Sequence, residues 1–245
     1  MPQTRLHVAG PYDARSDIEL GSNRARYLGR VLRHRAGDHL LVFDGEGSEF
    51  EATITAIGKT SATLRVGEKT LASAESPLRI HLVQGISRGE RMDFIVQKAT
   101  ELGVKRIKPV LTEFGVVKLD ATRAAKRREH WHRVAISACE QCGRLRLPLI
   151  DAPIPLKTWF GNKPQHVDSE IILKPGATTP LKHIESPVTK ICVLIGPEGG
   201  FSKMEYEDAE VAGFRAVSLG PRVLRTETAA VASIAALQSE WGDFA

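Results

Sequence analysis

The chain has 245 residues, 42% hydrophobic and 26% charged, a balance that suits one large or two unequal folded domains and excludes a disordered chain. No apolar run approaches the ~18 residues of a membrane span, residues 1–20 lack the basic start and apolar stretch of a secretory signal, and three cysteines cannot build a disulfide framework. A cytoplasmic protein is expected, whose small basic excess, 34 Lys and Arg against 29 Asp and Glu, matters through where it is placed.

Up to about residue 72 the apolar pieces are short. Strands are predicted at 39–44, 49–57 and 61–66, punctuated by Asp44-Gly45, Gly47, Gly58 and Gly67. Within this β-rich stretch, residues 25–34 carry Tyr27, Leu28, Val31 and Leu32 at helical spacing, leaving Arg26, Arg30 and Arg33 on a facing stripe. The same region holds the first of two basic clusters, Arg24, Arg26, Arg30, Arg33 and Arg35, with no acidic residue between Gly21 and Gly37. Guanidinium groups bind phosphate bidentately and stack on bases, which points to RNA; a solvated helix face has the same signature. The stretch Leu71 to Pro77, LASAESP, reads as a linker and divides the chain into domains 1–72 and 73–245.

From Leu78 the rhythm changes to strand, loop, helix. Strands are predicted at 78–84, 106–110, 170–173, 190–195 and 214–219, with helices at 90–102, 122–139, 203–212 and 227–241. That alternation predicts an α/β domain with a mostly parallel sheet and helices on both faces. The second basic cluster, Lys118 to Arg146, falls here. Open parallel sheets bind ligands beyond the carboxyl ends of their strands, so chemistry is sought in the loops after Leu173, Ile195 and Leu219.

Ile195 leads into Gly196-Pro197-Glu198-Gly199-Gly200-Phe201-Ser202, with Ser202 a good helix cap. Leu219 leads into Gly220-Pro221-Arg222-Val223-Leu224-Arg225-Thr226-Glu227, with Thr226 a second cap. Lys174-Pro175-Gly176 follows Leu173. Neither a Walker A ending nor G-x-G-x-x-G is present, so nucleoside triphosphates and NAD are poorly supported. Three such loops on one sheet edge can instead enclose a molecule without a phosphate tail, for which adenosine linked to an amino acid is a good description.

Two rival motifs need weighing. Gly85-Ile86-Ser87-Arg88-Gly89 fits the G-x-S-x-G elbow of a serine hydrolase, but too few strands precede it and no partnered Asp and His are evident, although His130, His132, His166 and His183 lie downstream. Cys139-Glu140-Gln141-Cys142 is a C-x-x-C with no second pair to complete a zinc site, so no metal is expected.

IGPEGGFS followed by LGPRVLRTETAA, with RGERMDFIVQKATELGV and ACEQCGRLRLP upstream, closely resembles the RsmE family of 16S ribosomal RNA uridine N3-methyltransferases. GRVLR at Gly29 to Arg33 and LVFDGEG at Leu41 to Gly47 look like that family's PUA-like RNA-binding β-barrel, and the remainder is similar to a SPOUT methyltransferase domain with a trefoil knot. The resemblance implies S-adenosylmethionine held by Leu173, Pro175, Ile195, Gly196, Pro197, Glu198, Gly199, Gly200, Leu219, Gly220, Val223, Leu224, Arg225 and Thr226. It implies a homodimer acting on 16S ribosomal RNA in a small-subunit particle, with Arg5, Arg24, Arg30, Arg33, Arg88, Arg91 and Arg144 as RNA contacts. Lys174 and Gly176 depart from the family's usual first loop. Methylation at uridine N3 requires loss of the N3 proton and stabilisation of charge on O2 and O4, for which Glu198 or Glu227 is the candidate proton acceptor and Arg225 the candidate cation. A non-catalytic RNA-binding protein is the remaining alternative.

Overall fold

The computed structural model describes residues 3–71, 74–117, 119–163, 167–184 and 188–244. Lys118, His166 and the expected domain boundary at 72/73 lie outside the described residues. The chain forms two compact units, one from Met1–Glu75 with Cys139–Leu147, the other from Ser76–Ala138 with Pro148–Ala245.

In the first unit five strands, β1 (Arg5–His7), β2 (Asp17–Leu20), β3 (His39–Phe43), β4 (Glu49–Ile57) and β5 (Ala62–Lys69), form one sheet in the order β1-β3-β4-β5-β2. Alternation builds its core: Leu40 and Val42, Ala52 and Ile54, Ala62 and Leu64 all point inward, joined by Leu6 and Leu20 from the two end strands. Because both ends supply the same core, the sheet is curled, and register shifts after Phe50 and Ile54 in the β4–β5 ladder assist the bend. The expected helix begins earlier, as α1 (Ser22–Arg26), and continues as a π-helical turn over Tyr27–Val31 that buries Leu28. Arg33, at φ 61°, ends it: left-handed backbone cannot continue a right-handed helix.

The second unit contains β6 (Arg79–Gly85), α2 (Glu90–Glu101), β7 (Arg106–Leu111), α3 (Ala121–Cys142), β8 (Leu149–Ile150), β9 (Ile154–Pro155), α4 (Leu156–Gly161), β10 (Ser169–Leu173), β11 (Lys190–Ile195), α5 (Lys203–Val211), β12 (Arg215–Val217) and α6 (Thr226–Trp241). The last turn of α3 belongs to the first unit. The sheet is parallel throughout, ordered β12-β10-β11-β6-β7-β8, with β9 also on β7. Strand β11 shows why both faces are covered. Ile191, Val193 and Ile195 pack with Met92, Ile95, Ala230 and Ile234 of α2 and α6, whereas Cys192 and Leu194 pack with Trp159 and Ala209 of α4 and α5.

Since the strands are parallel, their carboxyl ends share one edge. β10, β11 and β12 are neighbours there, which brings the loops following them together. Ser218 pairs with Thr179 and Leu181, placing the late loop beside the β10–β11 crossover.

Candidate active site

At that edge lies a cavity of about 450 Å³. Thirteen of the fourteen residues expected to hold a methyl donor line it: Leu173 and Pro175, Ile195 to Glu198, Gly200, Leu219, Gly220, and Val223 to Thr226. The exception is Gly199. A Cβ there would lie 2.9 Å from both Cβ and the carbonyl oxygen of Phe114, so this glycine serves close packing instead of facing the cavity. Gly85, read above as part of a hydrolase elbow, has the same character: its Cβ would fall 2.4 Å from Cδ of Pro197. Ser87 is buried, its Oγ without a hydrogen-bond partner, and no histidine base contacts it among the described residues. The elbow reading therefore fails.

The walls also include residues that the sequence reading did not single out as donor contacts. Phe201 and Tyr206 pack edge to face at 5.5 Å, and Lys174 Nζ lies 4.9 Å from the Tyr206 ring. Arg222 lines the cavity beside Arg225; both are exposed and neither forms an ion pair among the described residues. Ser202 and Glu205 form a reciprocal capping box that starts α5 and presents Tyr206 one turn on. A serine followed three residues later by glutamate was the available signal; which face Tyr206 takes was not encoded locally.

The two candidate proton acceptors differ sharply. Glu198 Oε1 accepts from Arg91 Nη1 at 2.7 Å and from the Arg88 backbone N–H at 3.1 Å. Burial would raise its pKa, but the Arg91 bond and the backbone N–H groups outweigh that and hold the carboxyl below its ordinary range. A carboxylate so held is a poor base, so the geometry makes Glu198 an anchor for Arg91. Glu227, in the first turn of α6, lines the cavity with Oε2 buried and unpartnered.

The expected RNA contacts divide as well. Arg5 is committed internally: Nε donates to Glu49 at 2.7 Å, Nη1 to the Cys139 carbonyl at 2.6 Å, Nη2 to the Arg144 carbonyl at 3.2 Å, and the group lies 4.8 Å from the Phe43 ring. Arg144 is 2% exposed and pairs with Glu75, and Arg24 pairs with Glu140 at 2.9 Å while also reaching the His7 carbonyl. These three arginines bond to groups of the first unit itself, Arg144 from a buried position and Arg5 and Arg24 from partly buried ones. Arg30, Arg33 and Arg88 are exposed and form no ion pair among the described residues, and Arg91 is exposed beside Glu198. Cys139 is buried, and among the described residues no disulfide joins the cysteines and no His, Cys, Asp and Glu cluster could hold a metal ion.

Comparison with known proteins agrees with this arrangement. A family model described as an RNA methyltransferase domain matches residues 74–238, and one described as an RNA methyltransferase PUA domain matches residues 20–67. A solved ribosomal RNA small subunit methyltransferase E of Neisseria gonorrhoeae, bound to S-adenosyl methionine, is 39% identical with a TM-score of 0.92, covering 99% of this chain and 100% of that one. A Legionella pneumophila structure, a putative methyltransferase in complex with the same cofactor, is 37% identical with a TM-score of 0.94 over 100% of both chains. The ribosomal RNA small subunit methyltransferase E of Buchnera aphidicola is 37% identical over 240 residues, 98% of this chain and 94% of that protein. On this combination of matched domains, near-complete coverage and loop arrangement, the chain belongs to the ribosomal RNA small subunit methyltransferase E family.

Proposed function

We propose that this protein is an S-adenosylmethionine-dependent methyltransferase that modifies N3 of a uridine in 16S ribosomal RNA, acting as a cytoplasmic homodimer on a small-subunit particle. The observation that carries this reading is the cavity enclosed by the loops after β10, β11 and β12, since thirteen of the expected donor contacts converge there. Its fit to the donor is chemical as well as positional. The volume of about 450 Å³ is that of a small-molecule site. Leu173, Ile195, Leu219 and Leu224 offer apolar wall to a nucleoside, and Gly196, Gly200 and Gly220 leave main chain bare for its polar edges. Glu227 Oε2 adds an unpartnered acceptor.

When bound, the donor supplies an electrophilic methyl group. The rest falls to side chains. Glu227 takes the N3 proton, directly or through a water. Arg225, with Arg222 behind it, faces the charge left on O2 and O4. Glu198 fixes Arg91, which together with Arg88 meets the RNA backbone near the site; Arg30 and Arg33 supply a second phosphate contact.

The test is mass mapping of 16S ribosomal RNA in small-subunit particles from cells lacking this protein, treated with protein and S-adenosylmethionine. One uridine should gain a methyl group at N3. A methyl at another base or ring position, or none, would overturn the assignment.

A further inference from the structure

Gln84 closes β6 at the centre of the parallel sheet, paired in register with Ile195, the last residue of β11. It is fully buried and does not face the cavity. Its Nε2 donates toward the Gly85 carbonyl at 3.0 Å, Thr226 Oγ1 at 3.0 Å and the Gly196 carbonyl at 3.3 Å. Thr226 Oγ1 in turn donates to the Gly196 carbonyl at 2.7 Å. One amide therefore ties the end of β6 to two cavity-lining residues from different loops, Gly196 after β11 and Thr226 at the start of α6.

The other half of this amide makes the arrangement informative. Gln84 Oε1 is buried without a hydrogen-bond partner among the described residues. An orphaned buried acceptor is destabilising, and an apolar side chain of similar shape would avoid that penalty. What an apolar residue cannot provide is the pair of N–H donors shared among the Gly85 carbonyl, the Thr226 hydroxyl and the Gly196 carbonyl. Neighbouring geometry supports the same reading, because Gly85 lets Pro197 approach to a distance that no Cβ would permit. The end of β6 is thus a seat on which the first loop rests and from which α6 is set.

We infer that Gln84 is a positioning residue for the methyl-donor site, fixing the spacing between the Gly196 loop and the Thr226–Glu227 start of α6. This rests on the proposed reading of the cavity as that site. It acts through Gly196 and Thr226 and touches no reactant.

The experiment compares Gln84→Leu, Thr226→Val, Thr226→Ser and the double variant Gln84→Leu/Thr226→Val. Each is assayed for S-adenosylmethionine binding by calorimetry, for single-turnover methylation of small-subunit particles, and for thermal unfolding. Gln84→Leu and Thr226→Val should each weaken donor binding about tenfold at temperatures where they remain fully folded. The double variant should be no worse than the weaker single one, since both cut the same link. Thr226→Ser, which keeps the hydroxyl, should recover most of the affinity lost in Thr226→Val. Wild-type donor affinity and turnover in folded Gln84→Leu would overturn the inference, as would independent, additive losses in the double variant. If Gln84→Leu does not fold, unchanged affinity in Thr226→Val is decisive against it. Absence of donor binding by the unmodified protein would instead overturn the reading of the cavity.

Discussion

The loops after β11 and β12 start alike, each carrying a Gly-Pro after a parallel strand and leading into a helix, yet they end in opposite states. In the first, Phe201 is buried, Ser202 and Glu205 cap α5 reciprocally, and Glu198 is bound by Arg88 and Arg91. Its polar groups are committed to one another. In the second, Val223 is 80% exposed, Arg222 and Arg225 form no ion pair among the described residues, and α6 begins without a side-chain cap because Arg225, not the expected Thr226, holds the cap position and offers no acceptor, while the Thr226 hydroxyl donates to the Gly196 carbonyl. Glu227 Oε2 is left without a partner. The contrast assigns labour: the satisfied loop holds shape, and the unsatisfied loop has groups available for chemistry.

Substitutions can break this contrast, beginning with the largest effect. Glu227→Gln should lower single-turnover methylation by about 10²- to 10⁴-fold with little change in melting temperature. Retained turnover would return proton acceptance to another group. Arg225→Ala should slow methylation about a hundredfold, again without loss of stability; an unchanged rate removes Arg225 from the chemistry. In the satisfied loop the pattern reverses. Ser202→Ala should destabilise by about 1 kcal/mol in denaturant unfolding through loss of the cap, with a smaller effect on turnover than either change in the second loop.

The Glu198–Arg91 pair gives a pH signature. A carboxyl held below its ordinary range contributes stability that is present above the unfolded-state value and is lost as pH falls through the lower folded-state value. Glu198→Gln should therefore lower stability at neutral pH, flatten the acid limb, and converge on the unmodified protein below the folded-state value. A wild-type acid limb in the variant would show that the pair is too exposed to matter. Smallest is the effect of Arg30→Ala with Arg33→Ala, which should reduce the salt slope of RNA binding by about two, one per phosphate contact, without changing the site preferred. An unaltered slope would mark that stripe as merely solvated.

What was legible in the sequence follows from range. The parallel sheet and its glycine loops were readable because apolar strands and Gly-Pro punctuation are local signals. The three-residue β1, the four-residue β2, and the short β8, β9 and α4 carry too little periodicity to be seen, and they form because neighbours supply pairing partners. The arginines were the least legible. Arg5 and Arg30 look alike in sequence, but Arg5 finds its acceptors 44, 134 and 139 positions away, while Arg30 is exposed on a turn and forms no ion pair among the described residues. Likewise, nothing local distinguishes the pinned Glu198 from the unpartnered Glu227.

The account stands on the cavity as a methyl-donor site, and calorimetric titration of the intact protein with S-adenosylmethionine tests that most directly. Saturable binding at one site per chain with a micromolar-range Kd is predicted. A titration with no saturable heat, from protein that still binds small-subunit RNA, would contradict it and leave an RNA-binding protein without the transferase chemistry.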